Sequence, residues 1–239
     1  MSRANLETAP EPGRVAVAIL SRAPIPGQAK TRLIPALGAE GAARLQSWLL
    51  QRAVAMALVA DVGPVTLWCA GDPRHPDFAL CRAFGSVAVR HQPEGDLGAR
   101  MRMALREAAS PDGTLIVGTD CPALTAAHLR QAAQSLRERD AVVLPAEDGG
   151  YVLIGLREAA AEAFARIDWG TERVMAQTRA RLRALGASWD EPATLWDVDR
   201  PEDLERLLAM APEVRAIVAG TQENEMRYPL YAASGGKPC

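Results

Sequence analysis

The sequence predicts an α/β fold built around a mostly parallel sheet. Two patterns point there. Val15–Leu20 (VAVAIL) is an unbroken apolar run, as expected of a strand covered on both faces. Beyond it, short apolar runs alternate with longer amphipathic stretches, the pattern of successive βα units. Composition agrees. Hydrophobic residues make up 49% and charged residues 23%, and a chain of 239 residues can bury a core without staples.

Taken in order, the first strand, Val15–Leu20, runs into a Pro- and Gly-rich loop, Ala23–Lys30. Glu40–Ala60 then places Leu45, Trp48, Leu49, Met56 and Val59 at helical spacing. Val65–Ala70 and Val87–His91 read as strands two and three. Leu97–Ala109 reads as a helix, with Asp96 as a candidate N-cap. Thr114–Gly118 is the fourth strand. Thr125–Arg139 is a helix capped by Thr125. Ala141–Leu144 and Tyr151–Gly155 are strands flanking a Gly-rich turn. Thr171–Leu185 is a helix with Thr171 as its N-cap, and Thr194–Val198 is a short strand. Pro201–Met210 closes the series as a helix, with Pro201 at its first position and Asp199 near its N-cap. The expected arrangement is one domain over 14–220, with flexible termini at 1–13 and 221–239.

Charge and cysteine content narrow the function. Acids outnumber bases by 29 to 27, a net charge of -2, which leaves no footprint for nucleic acid or an anionic membrane. The four cysteines form no CxxC pair, and the three histidines are scattered. Neither a disulfide framework nor a zinc site is readable. No segment reads as a signal peptide or a membrane span, so the expectation is a cytoplasmic protein. Of the 27 basic residues only two are Lys, and Lys30 is the only one outside the C-terminal tail. A lone Lys among arginines suits a site that needs a compact, movable point charge, although chance explains it equally well.

In parallel α/β sheets the ligand lies beyond the carboxyl ends of the strands. After strand one come Arg22, Ala23, Gly27, Lys30 and Arg32, a basic loop suited to phosphate oxygens. The spacing matches neither a Walker A loop nor GxGxxG. After strand four come Thr119 and Asp120; the Asp is placed either to hold Mg²⁺ or to cap the next turn. Asp96 and Gly98 stand at the start of a helix facing the same edge. Glu147, Asp148, Gly149, Gly150 and Tyr151 form either a plain hairpin turn or a space for an acceptor. Trp169 reads as core or as an acceptor wall. Asp197 and Asp199 lie two apart and point the same way, which is costly unless a cation or donors neutralise them. Glu202 and Asp203 read as ordinary first-turn helix acids.

Together these segments resemble a known family. PIPGQAKTRL (24–33), GDLGARM (95–101), GTDCPAL (118–124), PAEDGGYVLIGL (145–156), WGT (169–171) and DVDRPEDL (197–204) stand in its order. The resemblance is to the family described as domain of unknown function 2064, whose members are labelled transferases or arsenosugar-biosynthesis glycosyltransferases associated with radical-SAM proteins. It spans about Arg14 to Met210. That family belongs with the nucleotide-diphospho-sugar transferases of the GT-A fold and is similar to 2-phospholactate guanylyltransferase. The resemblance implies a Rossmann-like three-layer sandwich with a mostly parallel mixed sheet of about seven strands.

By the same resemblance, Gly27, Lys30 and Arg32 would hold the triphosphate. Asp120 and Asp199 would hold Mg²⁺ or Mn²⁺, with Asp197 as a second candidate. The implied nucleotide residues are Arg22, Ala23, Gly27, Lys30, Arg32, Asp96, Gly98 and Thr119. Those for a small-molecule acceptor are Glu147, Asp148, Gly149, Gly150, Tyr151, Trp169 and Thr171. The leading expectation is nucleotidyl transfer with Lys30, Arg32 and Asp120 as catalytic residues. Glycosyl transfer from a nucleotide-sugar, with Glu147 or Asp148 as base, is the alternative. A nucleotide-binding module without activity is the third. Base identity, acceptor and a homodimer all stay open.

Overall fold

The computed structural model describes residues 14–108, 110–158 and 160–221. The expected flexible ends, 1–13 and all but Thr221 of the C-terminal tail, lie outside these residues, as does Ala109 at the expected end of one helix.

Seven strands form one sheet, in chain order β1 (Ala16–Arg22), β2 (Val65–Ala70), β3 (Val87–His91), β4 (Thr114–Val117), β5 (Ala141–Pro145), β6 (Tyr151–Leu156) and β7 (Trp189–Asp190). Their spatial order is β3-β2-β1-β4-β6-β5-β7. Every neighbouring pair is parallel except those made by β6, which runs against both β4 and β5. The sheet is therefore mixed but mostly parallel. Apolar residues on both faces of β1 and β4 explain their unbroken runs: Val17, Ile19, Leu115 and Val117 join one core, and Ala18 and Ile116 the other.

Helices cover both faces. On one lie α1 (Ile34–Ala60), α2 (Pro76–Arg82) and α4 (Ala126–Glu138), supplying Leu50, Phe78 and Leu129 to that core. On the other lie α3 (Leu97–Glu107) and α5 (Val174–Ala184), with Met101 and Leu182. A third cluster joins Trp48 and Leu49 of α1 to Trp196, Val198, α6 (Asp203–Met210) and α7 (Val214–Ala219). Among the described residues no helix is long and apolar enough to cross a membrane.

Several boundaries differ from expectation. The long helix starts at Ile34, not Glu40, with a break at Gly38 (φ 68°, ψ 167°). Thr171 is not an N-cap: α5 begins at Val174 behind Arg173, and the Thr171 hydroxyl donates to Asp168 O at 2.8 Å inside a turn. Pro201 lies before α6 rather than in it, and Asp203 accepts from the backbone N–H of Asp199 and Arg200. Thr194–Val198 makes a single bridge, Leu195 to Ala146, instead of a strand, and Trp189–Asp190 is the edge strand. Helices α2 and α7 are additions. The caps at Asp96 and Thr125 stand as expected, each accepting from the backbone N–H three residues on.

Candidate functional site

A cavity of about 550 Å³ opens at the carboxyl ends of β1, β2 and β4. Because β6 is reversed, its first residues, Tyr151 and Val152, lie at the same edge and complete the wall. The floor is held by two buried amides. Gln46 of α1 donates to Ser21 Oγ at 3.3 Å and Thr119 Oγ1 at 3.2 Å, tying the end of β1 to the end of β4. Gln92 donates to Ser21 O at 3.1 Å and Trp68 O at 2.8 Å, tying β1 to β2. Both amides line the cavity.

The loop after β1 turns at Gly27 (φ 77°), where a Cβ would meet nothing within 4 Å; glycine is needed there for its backbone angle rather than for space. Lys30 then adopts the left-handed conformation (φ 46°, ψ 45°), unfavourable for a residue with a side chain. Its ammonium group makes up for that. Only 4% of the side chain is exposed, and Nζ pairs with Asp120 Oδ1 at 2.8 Å. Nζ also donates to Val198 O at 2.6 Å. A buried ammonium is tolerated only when paired in this way. Val198 N–H in turn donates to Asp120 O at 2.8 Å. Residues 197–199 thereby cross the mouth of the sheet beside Asp120. Two residues beyond Lys30, Arg32 forms an ion pair with Asp199.

Each acid expected to hold a metal is thus engaged by a cation expected to hold phosphate. Burial, then the charges of Asp148 and Asp120, push the carboxyl of Asp197 up to about 6. The carboxylates crowd one another, and Lys30 only partly offsets this. Among the described residues no three His, Cys, Asp or Glu side chains stand together as a ready cage for a metal. The donor set still fits Mg²⁺ or Mn²⁺ of the substrate-completed kind, in which one or two carboxylates share the ion with phosphate oxygens and water. Asp120 and Asp199 could serve as those carboxylates.

Of the residues expected on the nucleotide side, Arg22, Lys30, Arg32 and Thr119 line the cavity, together with the acids Asp120, Asp197 and Asp199. Ala23, Gly27, Asp96 and Gly98 lie outside the lining. Gly98 is needed for packing, since a Cβ there would lie 3.0 Å from Trp169 Nε1.

The expected acceptor residues are scattered by comparison. Tyr151 alone lines the cavity, with its hydroxyl directed at Met101 Sδ at 3.6 Å. Trp169 packs edge-on to Tyr151 and against Phe164. Glu147 binds Arg206 through both oxygens, at 2.8 and 3.1 Å, which holds its carboxyl below the usual range. Asp148 accepts from Gly150 N–H at 2.9 Å and closes the turn. At Gly149 (φ 90°) a Cβ would fall 2.3 Å from Glu172 O, so that glycine admits the neighbouring backbone.

Gln28, Thr31, Gln46, Gln92, Leu97 and Arg100 also line the cavity, beyond the residues expected from the sequence. Arg100 was within reach of the sequence, because it stands inside GDLGARM. The two glutamines carry no local signal; only the paired strands show what they tie.

The family DUF2064, described as an uncharacterized protein conserved in bacteria, matches residues 53–171. No curated protein sequence matches the chain. Among solved structures, a Desulfovibrio desulfuricans G20 protein, provisionally described as a nucleotide-diphospho-sugar transferase, is 25% identical, with a TM-score of 0.74 over 88% of this chain and 99% of that one. A CMP:2-keto-3-deoxy-manno-octonic acid synthetase complexed with CTP is 14% identical, with a TM-score of 0.54 over 84% of this chain and 99% of that one. Rv0371c from Mycobacterium tuberculosis H37Rv, in complex with manganese, is 20% identical, with a TM-score of 0.51 over 82% of this chain and 98% of that one.

Proposed function

Because this chain belongs to the DUF2064 family and gathers its acids and cations in one cavity, we propose that it is a nucleotidyltransferase. In this reading an acceptor oxygen attacks the α-phosphorus of a nucleoside triphosphate. One P–O bond forms, the bond to the β-phosphate breaks, and pyrophosphate leaves. The observation that carries the reading is the interlock of Lys30 with Asp120 and of Arg32 with Asp199 at the sheet's carboxyl edge. A triphosphate needs cations and its metal needs carboxylates, and the interlock holds both sets together before the ligand arrives. The CTP bound by one structural relative and the manganese bound by another support it.

A divalent ion held by Asp120 and Asp199 would supply positive charge to the phosphate oxygens. The chain's own residues do the rest. Lys30 and Arg32, bonded to these acids, place charge beside the leaving pyrophosphate. Gln46 and Thr119 hold the end of β4, and with it Asp120, in register with β1. Tyr151 walls the side where the acceptor enters. The setting is the cytoplasm, where nucleoside triphosphates are abundant.

Glycosyl transfer is the second reading, favoured by the description of the 25% identical structure. One of its two expected bases is weakened here, since Glu147 is held by Arg206 and its carboxyl is lowered. Thermal stability with Mg²⁺ against a panel of nucleoside triphosphates and nucleotide-sugars tests both. A Mg²⁺-dependent shift with a triphosphate, followed by pyrophosphate release on adding acceptor, supports nucleotidyl transfer. A shift with nucleotide-sugars alone rejects it.

A further inference from the structure

Four cationic side chains line the cavity, and they fall into two kinds. Lys30 and Arg32 are paired with Asp120 and Asp199. Among the described residues, Arg22 and Arg100 have no carboxylate partner. Arg100 goes further, because its Nε is buried and makes no hydrogen bond. A buried donor left unpaired costs about 1–3 kcal/mol, and more on a charged group. Buried polar groups of this kind normally have a hydrogen-bond partner.

Its place in the fold adds to the cost. Arg100 is the fourth residue of α3, and its backbone N–H bonds to Asp96 O in the first turn. A cation there faces the positive end of the helix dipole, where an anion is the favoured neighbour. Among the described residues no carboxylate accounts for a guanidinium at this position. An oxyanion in the cavity accounts for the missing carboxylate and for the placement at the helix start together.

We propose that Arg100 is an oxyanion-binding residue, which receives a phosphate or carboxylate group of a substrate on its guanidinium. It joins the cavity lining from the start of α3, as Leu97 does, whereas Lys30 and Arg32 join it from the segment after β1. The cavity thereby gains a second anion-binding element. This deepens the nucleotidyl-transfer reading and rests on it only for the identity of the substrate. The oxyanion comes either from the nucleotide's phosphate chain or from a negatively charged acceptor.

The experiment compares wild type with Arg100→Met, which keeps the length of the side chain and removes charge and donors, and with Arg100→Lys. Arg106→Gln, on the same helix and outside the cavity, is the control. Affinity is measured for inorganic phosphate and for Mg²⁺ with each nucleoside triphosphate, at constant ionic strength. Arg100→Met is expected to weaken phosphate binding at least tenfold, with Arg106→Gln unchanged. Arg100→Lys, which lacks the planar fork, restores only part of it. Equal loss with triphosphate places the oxyanion on the nucleotide, whereas loss with phosphate alone places it on the acceptor.

Without ligand, Arg100→Met is expected to melt no lower than wild type, because it removes an unsatisfied donor. Unchanged phosphate affinity overturns the proposal, as does a wild type that fails to bind phosphate. An unliganded Arg100→Met protein that melts several degrees lower also overturns it, since Arg100 is then structural. Phosphate binding is read without turnover, so failure of the nucleotidyl-transfer reading leaves this result distinguishable.

Discussion

Lys30 sits in a left-handed backbone conformation with its charge buried, and both costs are met by contacts with Asp120 and Val198. Strain held this way is common at functional positions, where the surroundings over-determine the geometry. Lys30→Ala and Asp120→Asn are each expected to lower kcat by about 10²–10³-fold, the range for losing one preorganised electrostatic group. Steady-state kinetics on the folded variants checks this, and full activity in either would remove the assignment. Lys30→Arg is expected not to rescue, since a planar guanidinium does not fit where the ammonium donates to both Asp120 and Val198. Asp197 gives a pH test. Its carboxyl titrates near 6 in the folded chain and at 3.8 as an ordinary Asp. The stabilisation this provides is complete below about pH 4 and is lost as pH rises through about 6. Asp197→Asn should therefore flatten the fall in Tm of the unliganded protein across that window; parallel curves would show that Asp197 does not set it.

At the scale of elements, the hairpin between β5 and β6 is where a small change should matter most. Gly149 combines φ 90° with a neighbouring carbonyl that leaves no room for a Cβ. Gly149→Ala is expected to cost roughly 3 kcal/mol, combining a strained angle with displaced backbone. Chemical denaturation measures it, and a cost below about 0.5 kcal/mol would mean that the turn gives way freely. The same elements show what was legible. Unbroken apolar runs located β1 and β4, and side-chain oxygens located the starts of α3 and α4, because both signals are local. Thr194–Val198 misled for a physical reason. Its alternation is real, with Trp196 and Val198 entering the third core while Asp197 and Asp199 face the cavity. Alternation alone does not say whether a partner strand is present, and here Val198 bonds to Asp120 across the sheet's edge instead. The pairing of Lys30 with Asp120, 90 residues apart by number, was likewise beyond any spacing argument, although both residues were visible. The scatter of the acceptor residues has the same origin: Arg206, which engages Glu147, belongs to a helix remote in sequence.

For the molecule as a whole, the cavity and the core are joined through Val198, fully buried in the third cluster while its carbonyl accepts from Lys30. Ligand binding should therefore stabilise the whole fold. At 100 times its Kd a ligand adds about 2.7 kcal/mol, a shift visible in thermal denaturation, and a bound ligand with no shift would argue against that coupling. The described cysteines offer a further view of the same state. Cys69, Cys81 and Cys121 are free and buried, and burial raises each thiol to about 12. Thiolate is the reactive form, so a maleimide must wait for the surrounding structure to open. Each sulfur is in effect a clock for its own neighbourhood: Cys69 for β2, Cys81 for α2, and Cys121 for the cavity it lines. Peptide-resolved alkylation then footprints occupancy without any turnover, because a ligand seated beside Asp120 slows the third clock by more than it slows the other two.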